Sequence, residues 1–103
     1  MGTALFSISK YGDKSKNLKG RFVASGAHTT STTGSNLTDG IAGAGSAVVG
    51  NAGDVLTIQM DENARLMFGG EVATQTVGHL VLASQILEYE ISGSGNISVC
   101  DVA

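Results

Sequence analysis

A chain of 103 residues and 10.4 kDa, with 6 Lys+Arg against 9 Asp+Glu and a net charge of −3, is sized for one domain. Area scaling gives roughly 5,400 Å² of folded surface against about 15,000 Å² for the unfolded chain, enough for one modest core. The 15 Gly and 0 Pro rule out collagen-like and proline-rich classes, the 42% hydrophobic content argues against wholesale disorder, and no apolar run approaches a bilayer span.

Residues 4–9 alternate, with Ala4, Phe6 and Ile8 on one side, and read as a strand. Residues 11–17 read as a polar turn. Residues 18–24 resume the alternation, with Leu18, Phe22 and Ala24 on one face and Lys19 and Arg21 on the other. The two are predicted to form a hairpin with an apolar inner face and a wet outer one. Residues 1–24 are thus N-terminal strands or a docking arm. Charge is uneven: Lys10, Lys14, Lys16, Lys19 and Arg21 stand against Asp13 in residues 1–21, whereas residues 22–103 hold Arg65 against eight acids. These cations are spread over a strand and a turn with only Tyr11 and Phe22 nearby. That spacing favours a solvated edge or a polar protein-docking surface over nucleic acid.

Residues 25–53 change texture to Gly, Ser, Thr, Ala and Asn, with Leu37 and Ile41 the only large apolar residues between Val23 and Val48. Such a stretch buries too little apolar area to offset its own ordering entropy, so it is expected to be a flexible extended segment. Within it, 29–33 reads as a thin strand, His28 as exposed in a polar loop, and 40–45 as a loop or a part ordered by a partner. Gly43-Ala44-Gly45-Ser46-Ala47-Val48 lacks the lysine and the Gly-Lys-Ser/Thr ending of a phosphate loop.

Residues 54–103 are the best patterned. Leu56, Ile58 and Met60 share one face, Leu66 pairs with Phe68, and Gly69-Gly70 supplies a turn. Val72, Thr74 and Thr76 alternate, 79–82 is short and apolar, and Leu87, Tyr89 and Ile91 point in while Glu88 and Glu90 point out. Residues 93–96 form a turn before a last strand with Ile97 and Val99 on one face; a short helix competes only at 77–87. The expected class is all-β, a small antiparallel sandwich or barrel of jelly-roll type.

Catalytic chemistry finds little support. Cys100 is the lone cysteine, which excludes an intrachain disulfide, and Asp101 beside it disfavours a thiolate, so it reads as a small buried residue. His28 and His79 lie far apart without ligand partners at metal-binding spacing. Glu88 and Glu90 simply face water, and Asp61-Glu62-Asn63 reads as a polar turn without calcium-loop spacing. The expectation is a non-enzyme with no cofactor and no metal, not directed to a membrane; the start of the chain lacks the basic and apolar regions of a secretory signal.

The runs Ala64-Arg65-Leu66-Met67-Phe68-Gly69-Gly70, Ala73-Thr74-Gln75-Thr76 with Gly78, and 89–99 (Tyr89-Glu90-Ile91-Ser92-Gly93-Ser94-Gly95-Asn96-Ile97-Ser98-Val99) resemble small β-rich virion proteins encoded in phage head gene clusters. That resemblance implies a capsid decoration, or cement, protein located in the virion and made in the host cytoplasm. It also implies docking on the major capsid protein, as a homo-oligomer and commonly as a trimer. Lys10, Lys14, Lys16, Lys19 and Arg21, or the pliable 25–53 segment, are the docking candidates. Other readings are a head-fibre, tail or host-surface adhesion module, or a bacterial β-domain that binds a small ligand or carbohydrate.

Overall fold

A computed structural model of the protein describes residues 2–11, 19–41 and 45–102, with residues 11, 19–22, 40 and 41 described as backbone only. The described residues are all-β. Strands β1 (Gly2–Tyr11), β2 (Lys19–Thr30), β3 (Ser35–Asn36), β4 (Gly40–Ile41), β5 (Val49–Gly50), β6 (Val55–Met60), β7 (Ala64–Met67), β8 (His79–Val81), β9 (Ile86–Glu90), β10 (Gly95–Asn96) and β11 (Ser98–Asp101) follow in chain order. A five-stranded sheet runs β4-β2-β1-β6-β9, a four-stranded sheet runs β3-β11-β7-β8, and β5 pairs with β10. Among the described residues only the β2–β4 pairing is parallel. The solvent-accessible area, 5412 Å², matches the roughly 5,400 Å² of a compact chain this size.

The predicted N-terminal hairpin is present: β1 and β2 pair antiparallel from Gly2↔Thr30 to Tyr11↔Lys19. Its alternation breaks, however. Ile8 faces Ala24 but Ser9 faces Phe22, so the register shifts by one residue at this point of the hairpin. Both Val23 and Ala24 pack against the core as a result. β1 is held on its other side by β6, and Ala4, Phe6 and Ile8 lie against Leu56, Ile58 and Met60. The second sheet supplies Ala64, Leu66, Val81 and Val99 to the same core, which makes the fold a sandwich of two facing sheets.

Three sequence expectations are corrected. The 25–53 segment is built into the fold: β2 extends through its first residues, and Leu37 and Val48 are buried. Leu37 N–H donates to Ile97 O at 2.7 Å and Val48 N–H to Leu37 O at 2.8 Å, so the two ends of a short return are stitched onto the start of β11. Gly26 permits this approach, since a Cβ there would lie 2.7 Å from Thr38 O. The expected strand at 29–33 gives way to bends after Thr30, and the loop proposed at 40–45 lies partly outside the described residues. Second, Val72, Thr74 and Thr76 are exposed in an irregular connection rather than a strand. The residue this connection buries is Ala73, whose N–H donates to Ser98 Oγ at 3.0 Å. Third, β11 does not alternate. All four of its residues are buried, because β3 and β7 flank it and the 31–34 and 72–76 connections lie over its outer side. No helix forms at 77–87.

The turn glycines are conformationally required where 69–70 meets 93–95. Gly95 has φ 139°, its Cβ would sit 2.9 Å from Gly70 N, and Gly70 N–H donates to Asn96 O at 3.1 Å. If the Gly/Ser/Thr-rich stretch is core structure, Leu37→Ala costs about 2–4 kcal/mol in urea unfolding. A tethered, non-core segment would leave the midpoint unchanged.

Candidate functional site

The exposed apolar side chains are where a surface function has to be sought, because the core needs none of them. Leu5, Val49, Val72, Val77, Leu80, Leu82 and Ile86 are the large hydrophobic residues left exposed among the described residues, and four of them fall between 72 and 82. Two others define the outer face of the five-stranded sheet. Register places Ala27, Leu5, Gln59 and Ile86 in one row across β2, β1, β6 and β9. Leu5 is 52% exposed and Ile86 67%, with Gln59 between them. The next row is Ser25, Ser7, Thr57 and Glu88, and Thr57 Oγ1 donates to Glu88 Oε2 at 3.2 Å. Shallow grooves run along these rows, floored by Leu5, Gln59 and Thr57 and walled by Ser84 and Ile86. Short hydroxylated and apolar side chains leave the sheet surface open between two anchors.

The sandwich flank formed by β8 and β9 carries an aromatic cluster. Phe68, His79 and Tyr89 have ring centroids 5.8, 5.9 and 5.5 Å apart in pairs, with Phe68 buried, Tyr89 half-buried and His79 exposed. Burial raises the Tyr89 phenol above its ordinary pKa.

The polar groups inside the protein are dispersed and each serves a structural tie. His28, expected in an exposed loop, is instead on β2 and only 6% exposed. Its Nδ1 lies 2.9 Å from Thr38 Oγ1 and its Nε2 2.9 Å from Ser35 Oγ. A hydroxyl can donate or accept, so a neutral imidazole is satisfied in either tautomer. Burial lowers the His28 pKa from 6.5. Thr30 Oγ1 donates to Asp101 Oδ1 at 2.6 Å, tying the end of β2 to β11. Cys100 is buried, and its thiol pKa is raised by burial first and by the Asp101 charge second, so it is held as an unreactive thiol. Arg65 Nη1 donates to Gly78 O at 3.1 Å. Among the described residues no three His, Cys, Asp or Glu side chains are placed to hold a metal ion.

The proposed docking cations are not brought together. Lys10 is 53% exposed at its side chain and its Nζ lies 3.5 Å from Oδ1 of Asp54, a carboxylate that is itself buried. Lys14 and Lys16 lie outside the described residues. Lys19 and Arg21 are described as backbone only, at the start of β2. What the charge pattern missed is the Leu5 and Ile86 face, and a signal for it exists. Leu5-Phe6 and Ile86-Leu87 are adjacent apolar pairs in strands, and neighbours on a strand point to opposite faces, so one of each pair has to lie outside.

Compared with models of protein families, with curated proteins and with solved structures, the chain finds no match.

Two measurements test these ties. Because the folded His28 pKa lies below the unfolded value, the unfolded chain binds the extra proton as pH falls through 6.5, and stability drops from there down to the folded pKa. The urea midpoint therefore falls as the pH is lowered through and below 6.5, and His28→Gln flattens that part of the profile. Lys10→Met, which keeps the apolar stem, lowers stability by on the order of 1 kcal/mol because Asp54 loses its cation; a lysine devoted only to docking would leave stability unchanged.

Proposed function

We propose that the chain is a structural virion protein of the decoration type, a non-enzymatic module that binds the major capsid protein on an assembled shell and works as a homo-oligomer. The observation that carries this reading is the outer face of the five-stranded sheet, where Leu5 and Ile86 stand exposed on a lattice of Ser, Thr, Ala and Gln side chains. Such a face can approach another protein surface closely, because no long charged side chain stands between the two anchors. The resemblance of 64–78 and 89–99 to phage head-cluster proteins supplies the partner. Repetition supplies the strength: a shell presents many equivalent sites, and an oligomer that engages several of them gains avidity from weak single contacts.

Co-sedimentation with empty capsids tests the reading. Wild-type protein pellets with the shells, and Leu5→Lys together with Ile86→Lys abolishes pelleting. The same changes leave unfolding within about 0.5 kcal/mol of wild type, since both positions are solvent-facing. Undiminished pelleting by the double variant removes this face from docking, and failure of wild type to bind any shell removes the decoration role.

A further inference from the structure

The outer face of the five-stranded sheet carries a repeat that its core-facing side does not use. Thr3, Leu5 and Ser7 alternate outward along β1, with Gln59 and Thr57 of β6 opposite Leu5 and Ser7. Thr3 N–H donates to Asp61 Oδ1 at 2.6 Å just past the end of β6, which adds Thr3 and Asp61 as a third row. Two depressions lie between these rows. One is lined on the outside by Thr3, Leu5, Gln59, Asp61 and Ser84, the other by Leu5, Ser7, Thr57, Gln59 and Ile86. The row of Leu5 and Gln59 is the ridge they share. Their volumes, about 210 and about 240 Å³, fall below the roughly 300–1,000 Å³ of a small-molecule pocket, so each is sized for a side chain. Rows on one face of a strand repeat every two residues, about 6.6 Å, and so do the side chains on one face of any extended chain. A segment laid along β1 and β6 therefore sets its residues i and i+2 in the two depressions together.

We infer that this face receives an extended segment of the major capsid protein, with apolar side chains at i and i+2 and a basic side chain at i−2 beside Asp61. Charge selects the basic residue. Asp61 is exposed, and among the residues that line the two depressions it is the only charged one. The apolar positions follow from Leu5 and Ile86, which stand 52% and 67% exposed at the ridge and at the wall of the second depression. A second copy of this chain is a poorer occupant, because its own outer face would bring the same Asp61 and the same uncharged rows, with no cation to meet the carboxylate. The contact is made through side chains over a sheet face, so no main-chain ladder adds to it and one segment binds weakly. A shell that presents many such segments turns weak contacts into firm attachment. The inference deepens the proposed function and rests on it only for the source of the segment.

Amide NMR spectra of the full chain read the contact when it is titrated with a blocked hexapeptide of lysine, threonine, valine, threonine, valine and threonine in that order. The amides of residues 3–7 and 57–61 are expected to shift and to saturate. Replacing the peptide's lysine with glutamate, or placing its valines next to each other, weakens binding by roughly tenfold. Asp61→Asn keeps the oxygen that accepts Thr3 N–H and removes the preference for lysine over glutamate. Shifts that never saturate, shifts confined to other residues, or equal binding of the three peptides overturn the inference. So do shifts in the same rows that grow with protein concentration alone, which would assign the face to a second copy. The comparison among peptides uses only wild-type protein, so it decides the matter even if the Asp61 variant does not fold. Shell pelleting is scored separately. Pelleting without peptide binding defeats the extended segment and leaves the decoration reading standing, and peptide binding without pelleting does the reverse.

Discussion

Two facing sheets exclude water from their core only when the ends of the sandwich are closed as well as its middle. The middle is supplied by strands of ordinary pattern, β1 and β6 on one side, β7 and β11 on the other. The end is closed by Leu37, Val48, Ile91 and Ile97, and two of these come from a stretch with almost no other large side chain. That stretch cannot hold its shape by burial alone. Its backbone is bonded onto Ile97 and onto itself, and in a small domain each such bond removes a buried polar group that would otherwise be unsatisfied.

The buried polar side chains complete the same task. His28 reaches Ser35 and Thr38, Thr30 reaches Asp101, and Ser98 accepts the N–H of Ala73, so each joins a stretch poor in apolar side chains to a strand of the core. Hydrophobic burial would place these segments only loosely, whereas directional bonds fix which residue faces which. One cost of the arrangement is visible in Asp54 and Asp101, each of which keeps its Oδ2 buried without a partner. Both carboxylates are held where a cation or hydroxyl on a neighbouring strand meets the other oxygen.

The sequence was legible wherever one face of a strand is wet. The inward residues of β1, β6, β7 and β9 follow from period-2 alternation. The last strand, its inward Val99 and the buried Cys100 were legible too, but not the burial of Ser98 and Asp101, because β11 faces a covering connection instead of water and burial on both sides leaves no alternation to read. Val72, Thr74 and Thr76 alternate without being a strand, since Thr74 is engaged by a local turn in which its hydroxyl accepts the Val77 N–H. His28 was misplaced because its polar sequence context describes neighbours along the chain, while its hydroxyl partners return from seven and ten residues ahead. The candidate face was legible in principle from the doubled apolar pairs, but charge drew the reading to Lys10, whose partner Asp54 is a long-range contact no spacing rule supplies.

A solvent-facing sheet is usually covered by long charged side chains whose stems shield the apolar residues between them. Here the outer rows carry Ser7, Ser25, Ala27, Thr57 and Gln59 around Leu5, with Glu88 and Glu90 on β9 at the margin. Short side chains shield little, so this face stays open to contact across its width. The margins behave differently. β3, β4 and β8 are too short to template another strand, and β9 is long enough but acidic, so an approaching edge of the same sign is turned away. The same placement of residues leaves the outer face with short side chains and sets Glu88 and Glu90 on the β9 margin. In a chain of 103 residues with a core this small, that division lets one sheet supply half of the hydrophobic interior on one side and an exposed surface of short side chains on the other.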